Sequence, residues 1–152
     1  MRILIDTNVL LRSIEPKHAH SQCSVDAIGI LRRQGHELAI VLQVLYEFWS
    51  VATRPLANNG LGLSPADAHA EITAIQRLFR LLRDERGVYS IWEHLVSSLG
   101  VKGKQTHDAR LAAAIQRHAV TQLLTFNTGD FKRYSFLRSI SPVDVATGTV
   151  SV

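Results

Sequence analysis

The aliphatic run Ile3-Leu4-Ile5 ends on Asp6, and the apolar spacing then changes at once. Three consecutive aliphatic residues, two of them β-branched, read as a short buried strand over Arg2–Asp6. Val9, Leu10 and Ile14 then fall at helical spacing. A buried strand feeding straight into a helix belongs to a sheet whose faces are covered by helices. The same switch recurs along the chain, and it constrains the fold more than any bulk property.

A second helix is expected from His18 to about Arg33, with Val25, Ile28 and Leu31 on its apolar side and Gly35 behind its end. Leu38–Val41 reads as a strand, followed by a helix from about Leu42 to Thr53. Arg54-Pro55 ends that helix, because proline disfavours helix at the residue before it. Asn58 to Gly62 is a loop. Ser64-Pro65-Ala66-Asp67 is a helix start: a capping serine, a proline at the first position and an acid in the first turn. That helix is expected to reach about Arg83, with Ile72, Ile75, Leu78, Phe79 and Leu82 on one face. Val88–Ile91 reads as a short strand, and Trp92 to Leu99 as a helix. Gly100–Thr106 is a basic loop. A helix runs from Thr106 to about His118, Thr121–Thr125 is a strand, Phe126–Tyr134 a loop, and Ser141–Val145 a last strand. Strands alternating with helices predict an α/β fold with a mostly parallel sheet of four to five strands.

The 152 residues suit one domain spanning 1–152. No repeat or linker interrupts them. The single cysteine, Cys23, excludes an internal disulfide and a cysteine-based zinc cluster, and is expected to be a buried thiol in a reducing cytoplasm. A secretory signal is not expected, because the first apolar run is too short. No stretch approaches the ~20 apolar residues that span a bilayer. The net charge is +4, from 17 Lys and Arg against 13 Asp and Glu. If four of the acids share one metal site, the rest of the chain carries 17 minus 9, or +8, which suits a phosphodiester substrate.

Four acids stand out, and each has a plain structural alternative. Asp6 follows a strand, where ligands bind in open parallel sheets, but it could equally cap the next helix. Glu47 sits in the apolar stretch Val44-Leu45-Tyr46-Glu47-Phe48-Trp49. It needs either a narrow exposed stripe or a cation, since a buried, unpaired carboxylate costs several kcal/mol. Asp108 stands in a first helical turn, where an acid meets the helix dipole. Asp130 follows Asn127-Thr128-Gly129, a turn composition, yet it lies just past a strand, as Asp6 does. Oxygen donors of this kind suit Mg²⁺ or Mn²⁺. The pairs His18/His20 and His107/His118 have no metal spacing and read as surface histidines. Trp49 and Trp92 read as core or dimer-contact residues, and no aromatic RNA-binding signature is evident.

These motifs resemble those of PIN-domain nucleases, and among them the VapC-type toxins of bacterial toxin–antitoxin pairs. Ile5-Asp6-Thr7-Asn8-Val9-Leu10 is similar to the family's first motif. Leu45-Tyr46-Glu47-Phe48 resembles the second, and His107-Asp108-Ala109-Arg110-Leu111 the third. Leu124-Thr125-Phe126-Asn127 followed by Asp130-Phe131 resembles the last. They occur in the family's order over most of the chain. The resemblance implies a PIN-like three-layer α/β/α sandwich. It also implies that Asp6, Glu47, Asp108 and Asp130 bind one or two Mg²⁺ or Mn²⁺ ions, with Thr7, Asn8 and Asn127 orienting carboxylates or water. The expected reaction is endoribonuclease hydrolysis of RNA by metal-activated water, leaving a 5′-phosphate and a 3′-hydroxyl. Lys102, Lys104, Arg110, Lys132 and Arg133 lie near the motifs and are candidates for RNA binding. By the same resemblance the chain would be a homodimer held inactive by a cognate antitoxin protein, whose arginine could enter the acidic site.

Three other readings compete. PIN domains also serve in RNA processing and quality control without a toxin role. A phosphatase of the haloacid-dehalogenase type would use Asp6 as nucleophile, but it wants a second aspartate where Asn8 stands. A non-catalytic RNA- or protein-binding module would not need the full acid set.

Overall fold

The computed structural model describes residues 1–150. Five strands form one sheet in the order β3-β2-β1-β4-β5, every neighbouring pair parallel. They are β1 (Arg2–Ile5), β2 (Glu37–Val41), β3 (Arg80–Leu82), β4 (Gln122–Leu124) and β5 (Arg138–Ile140). Seven helices cover the sheet among the described residues: α1 (Thr7–Ser13), α2 (Ser21–Arg33), α3 (Leu42–Thr53), α4 (Pro65–Leu78), α5 (Val88–Ser98), α6 (Gln105–Arg117) and α7 (Pro142–Ala146). This is the expected α/β/α sandwich. The central strands read as continuous hydrophobic runs because both faces are covered. Ile3, Leu4, Ile5, Ala39, Ile40, Val41, Leu123 and Leu124 are fully buried.

Three elements differ from the sequence reading. The helix expected to reach Arg83 stops at Leu78, and Arg80–Leu82 is an edge strand whose Ala39↔Arg80 register lies against β2. Phe79 and Leu82 are buried, while Leu78 is exposed, so the five residues never share one helical face. Short apolar runs fit either period. The strand expected at Val88–Ile91 is instead the first turn of α5; Val88, Ile91, Trp92 and Leu95 pack against the core at helical spacing. Gly87, at φ 96°, makes the turn into it, a conformation that favours glycine. The strand expected at Ser141–Val145 is α7, and the actual fifth strand precedes it. Ser141 accepts from the Val143 amide with Pro142 behind it, the same start signature that Ser64-Pro65 gives α4.

Smaller departures have the same origin. The second helix begins at Ser21, and its buried side is Ser24, Ala27 and Leu31, leaving Val25 exposed. Cys23 is half-exposed rather than buried and donates to the His20 carbonyl. Trp92 is turned inward, its indole N–H donating to the Thr106 carbonyl, whereas Trp49 lies at the surface. No helix among the described residues is long and apolar enough to cross a membrane.

The cap of α4 gives one stability prediction. Ser64 Oγ accepts from the Asp67 amide and donates to the Asp67 carboxylate. Ser64→Ala is expected to cost about 1 kcal/mol in urea unfolding, without affecting any residue of the site described next.

Candidate active site

The sheet places β1 at its centre, with β2 on one side and β4 on the other. The connections leave in opposite directions there, so a crevice opens beyond the strand ends. Asp6 stands at that point. It follows β1, its amide donates to the Leu124 carbonyl at 3.0 Å, and it caps α1, its Oδ1 accepting from the Thr7 amide at 2.7 Å. The capping role is thus observed, and the same carboxylate lines the pocket described below.

Helices α3 and α6 bring the other acids in. Glu47 lies on the second turn of α3, directly behind the end of β2, and is half-buried. Asp108 lies in the first turn of α6 and is also half-buried. Asp6, Glu47 and Asp108 line one pocket of about 330 Å³, together with Thr7, Asn8, Asn127 and Arg54. Asp130, on a 3-10 turn at Thr128–Phe131, is exposed and does not line that pocket. It acts on Asp108 through its charge.

The electrostatics follow from burial. Asp6 is 7% exposed, and its carboxyl is pushed up to about 6, first by desolvation and further by the charges of Glu47 and Asp108. Hydrogen bonds from Thr125 and Thr7 oppose the shift. Asp108 is also raised, by desolvation first and then by Asp130 and Glu47; His107 and Arg133 pull the other way. None of the three carboxylates makes an ion pair with Lys, Arg or His among the described residues. The site therefore concentrates negative charge with no ion pair among the described residues to offset it.

Hydroxyls and amides hold the carboxylates in place. Asp6 Oδ2 accepts from Thr125 Oγ1 at 2.6 Å and from Asn8 Nδ2 at 2.9 Å. Asn8 Nδ2 also donates to Thr125 Oγ1, and its Oδ1 accepts from the Phe126 amide, so its side chain is fully engaged within the protein. Thr7 Oγ1 donates to Glu47 Oε2 at 3.0 Å, and Gln43 Nε2 donates to Glu47 Oε1 at 2.8 Å. Gln43 Nε2 donates as well to the His107 carbonyl, tying α3 to the start of α6. Thr7 and Asn8 thus each hydrogen-bond to a carboxylate of the cluster. The exposed Asn127 side chain lies at the rim with its amide free of protein partners, while its backbone N–H donates to Thr125 Oγ1.

Three further residues belong to this arrangement and were not read from the sequence: Thr125, Gln43 and Arg54. Thr125 is fully buried at the end of a strand, where its hydroxyl must find a partner. Gln43 lies one helical turn before Glu47, a spacing at which side chains meet. Arg54 leaves α3 in an extended conformation before Pro55, and this places it along the pocket. The anticipated cations lie elsewhere. Lys102, Lys104 and Lys132 are exposed and outside the pocket. Arg110 pairs with Asp84, and Arg133 donates to Gln105.

The donor set suits a hard divalent cation: carboxylate oxygens only, with one carboxylate buried and two half-buried, and none in an ion pair among the described residues. No three such side chains among the described residues converge on a common ligating point as they stand. The chemistry of the donors fits a metal.

Comparison with known proteins agrees with this architecture. Residues 3–137 match the family model for the PIN domain. No curated protein matches by sequence. Among solved structures, VapBC2 from Rickettsia felis bound to a promoter DNA fragment aligns with TM-score 0.70 and 16% identity, over 93% of this chain and 98% of that one. FitAcB from Neisseria gonorrhoeae aligns with TM-score 0.67 and 18% identity, over 92% and 97%. VapC20 from Mycobacterium tuberculosis, described as a sarcin-ricin loop cleaving toxin, aligns with TM-score 0.65 and 18% identity, over 89% and 96%. At these identities the likeness is one of fold.

Proposed function

Since the chain belongs to the PIN-domain family, we propose that it is a divalent-metal-dependent endoribonuclease and the toxin of a toxin–antitoxin pair. One observation carries the nuclease reading: Asp6, Glu47 and Asp108 face a single pocket with no cationic side chain paired to any of them. Holding a buried carboxylate beside two half-buried ones costs stability, so such a cluster points to a use. Support for the toxin role comes from the structural neighbours, which include a toxin–antitoxin complex from Klebsiella pneumoniae and a toxin described as cleaving the sarcin-ricin loop.

Asp6, Glu47 and Asp108 would hold Mg²⁺ or Mn²⁺, with Asp130 adding charge from outside the pocket lining. Bound there, the cation neutralises the cluster and supplies Lewis acidity toward water and phosphate. The protein's own groups do the rest. A carboxylate has about four acceptor sites. Asp6 uses three of them, on the Thr7 amide, Asn8 Nδ2 and Thr125 Oγ1. It is therefore fixed in orientation with one site to spare. Glu47 is held through one bond on each oxygen, from Thr7 and Gln43, and keeps the rest. Arg54 supplies positive charge for a phosphate oxygen, and the free Asn127 amide can donate a further hydrogen bond. Water adds to phosphorus in line, the bond from phosphorus to the 3′ oxygen breaks, and that oxygen leaves with a proton. The products are a 5′-phosphate and a 3′-hydroxyl.

An antitoxin would neutralise the enzyme by placing its own cation in this pocket, since a guanidinium matches a carboxylate pair. Tyr46 and Trp49, exposed side by side on α3, mark where a second copy would dock to form a homodimer. The enzyme would act on RNA in the cytoplasm.

Incubating the protein with RNA in Mg²⁺, Mn²⁺ or EDTA tests the reading. Cleavage is expected with either metal, none with EDTA, and none by Asp6→Asn. Cleavage in EDTA, or an unaffected Asp6→Asn variant, would overturn it.

A further inference from the structure

The acidic pocket has a neighbour that the reaction does not use. A second cavity, of about 610 Å³, shares Asn8 and Asn127 with it and continues past them to Arg12, His18, His20 and Phe126. No acidic side chain lines it, in contrast to the three that line the first pocket. The His20 ring lies flat on Phe126, with centroids 4.6 Å apart and the planes at 11°. Phe126 is half-buried and His20 exposed, so the His20 ring can be reached from solvent beside the tilted His18 ring, whose centroid lies 5.4 Å away. His18 Nδ1 accepts from the His20 amide at 3.0 Å, which leaves its Nε2 as the N–H donor. Arg12, paired with Glu15, adds a guanidinium to the same wall.

We propose that this cavity is a subsite for single-stranded RNA, taking one nucleotide that flanks the scissile bond; the proposal rests on the nuclease reading above. An aromatic ring reached from solvent accepts an unstacked base of any sequence. The Arg12 guanidinium and the His18 N–H lie beside it for the phosphate. The cavity falls within the range of small-ligand pockets, about 300–1,000 Å³. Its position sets the register. Asn8 fixes Asp6 through Nδ2 and the Phe126 backbone through Oδ1, so one side chain joins the wall of the reaction site to the stacking platform. The two histidines, unremarkable as a pair in sequence, acquire a purpose from Phe126, more than a hundred residues away.

Binding and cleavage separate the subsite from the nuclease reading. Fluorescence anisotropy of labelled single-stranded RNA oligonucleotides, in EDTA, reads the subsite alone. His20→Ala is expected to raise Kd about tenfold, with thermal stability unchanged, and His20→Phe, which keeps the stacking face, to restore most of the affinity. Phe126→Leu, which keeps the apolar volume, should weaken binding to a similar degree. In Mg²⁺ the His20→Ala defect should appear in KM, with kcat held within about twofold. RNA affinity unchanged in His20→Ala and Phe126→Leu overturns the subsite even if the wild type cleaves RNA. So does a defect confined to binding of a co-expressed partner protein, which would make the cavity a protein-docking site. RNA binding that depends on His20, in a protein that never cleaves RNA, would retain the contact and overturn the nuclease reading.

Discussion

Asp6→Asn is expected to abolish RNA cleavage and, in the absence of metal, to make the protein more stable. Burial and two neighbouring carboxylates push Asp6 from 3.8 up to about 6. Between those values the folded state binds a proton that the unfolded chain has released. Stability is therefore greatest below the unfolded value and falls as pH rises through the folded one. A shift of about two units corresponds to about 3 kcal/mol lost by neutral pH. Asparagine removes the charge but sets its amide against Asn8 Nδ2, a mismatch that costs about 1 kcal/mol. The net gain is about 1–2 kcal/mol at pH 7, read as an upward shift of the urea midpoint. Added Mg²⁺ or Mn²⁺ reverses the order, because it stabilises only the protein that binds it, by about 2.7 kcal/mol at a hundred times Kd. Activity should fall by about 100-fold or more, since loss of an outer partner of a metal ligand already costs about 10–100-fold. A variant that is inactive but less stable than wild type in EDTA would show that Asp6 is there for the fold.

Thr125→Val is the second large effect. The substitution keeps the shape and removes a hydroxyl that is fully buried. Asp6 Oδ2 loses its shortest hydrogen bond, and the Asn127 backbone N–H and Asn8 Nδ2 lose an acceptor. A hydrogen bond to a charged group contributes about 1.5–3 kcal/mol, and stranded partners add to the loss. Destabilisation of about 2–4 kcal/mol is expected at neutral pH. Thr125→Ser, which deletes only a methyl group, should cost about 1 kcal/mol. Equal stability of the valine and serine variants would remove Thr125 from the site.

What the sequence made legible, and what it did not, divides along physical lines. Ile3-Leu4-Ile5-Asp6 could be read because a buried parallel strand needs an aliphatic run and the chain must turn at its end. Glu47 could be read because a carboxylate among apolar residues demands an explanation. Asp108 and Asp130 were legible only as members of a pattern, and the structure separates them, with Asp108 lining the pocket and Asp130 outside its lining. Thr125 escaped because a lone threonine at a strand end gives no local sign that its hydroxyl meets a carboxylate over a hundred residues away. Arg54 escaped because the proline after it reads as a helix stop and hides where the side chain goes. The error at Ser141–Val145 was avoidable in principle. Ser141-Pro142 carries the same start signal as Ser64-Pro65, and the β-branched residues after it masked a helix of five residues. The edge strand Arg80–Leu82 was less accessible, since its three residues gain their conformation from pairing with β2.

In the proposed reaction the acid cluster directs water, and no protein or RNA hydroxyl, onto phosphorus. End-group analysis of the cleaved RNA tests it most directly. Products bearing a 5′-phosphate and a 3′-hydroxyl, formed in Mg²⁺ or Mn²⁺ and absent with Asp6→Asn, are the result this account predicts. Fragments ending in a 2′,3′-cyclic phosphate would mean that the RNA's own 2′-hydroxyl attacks, and would contradict it.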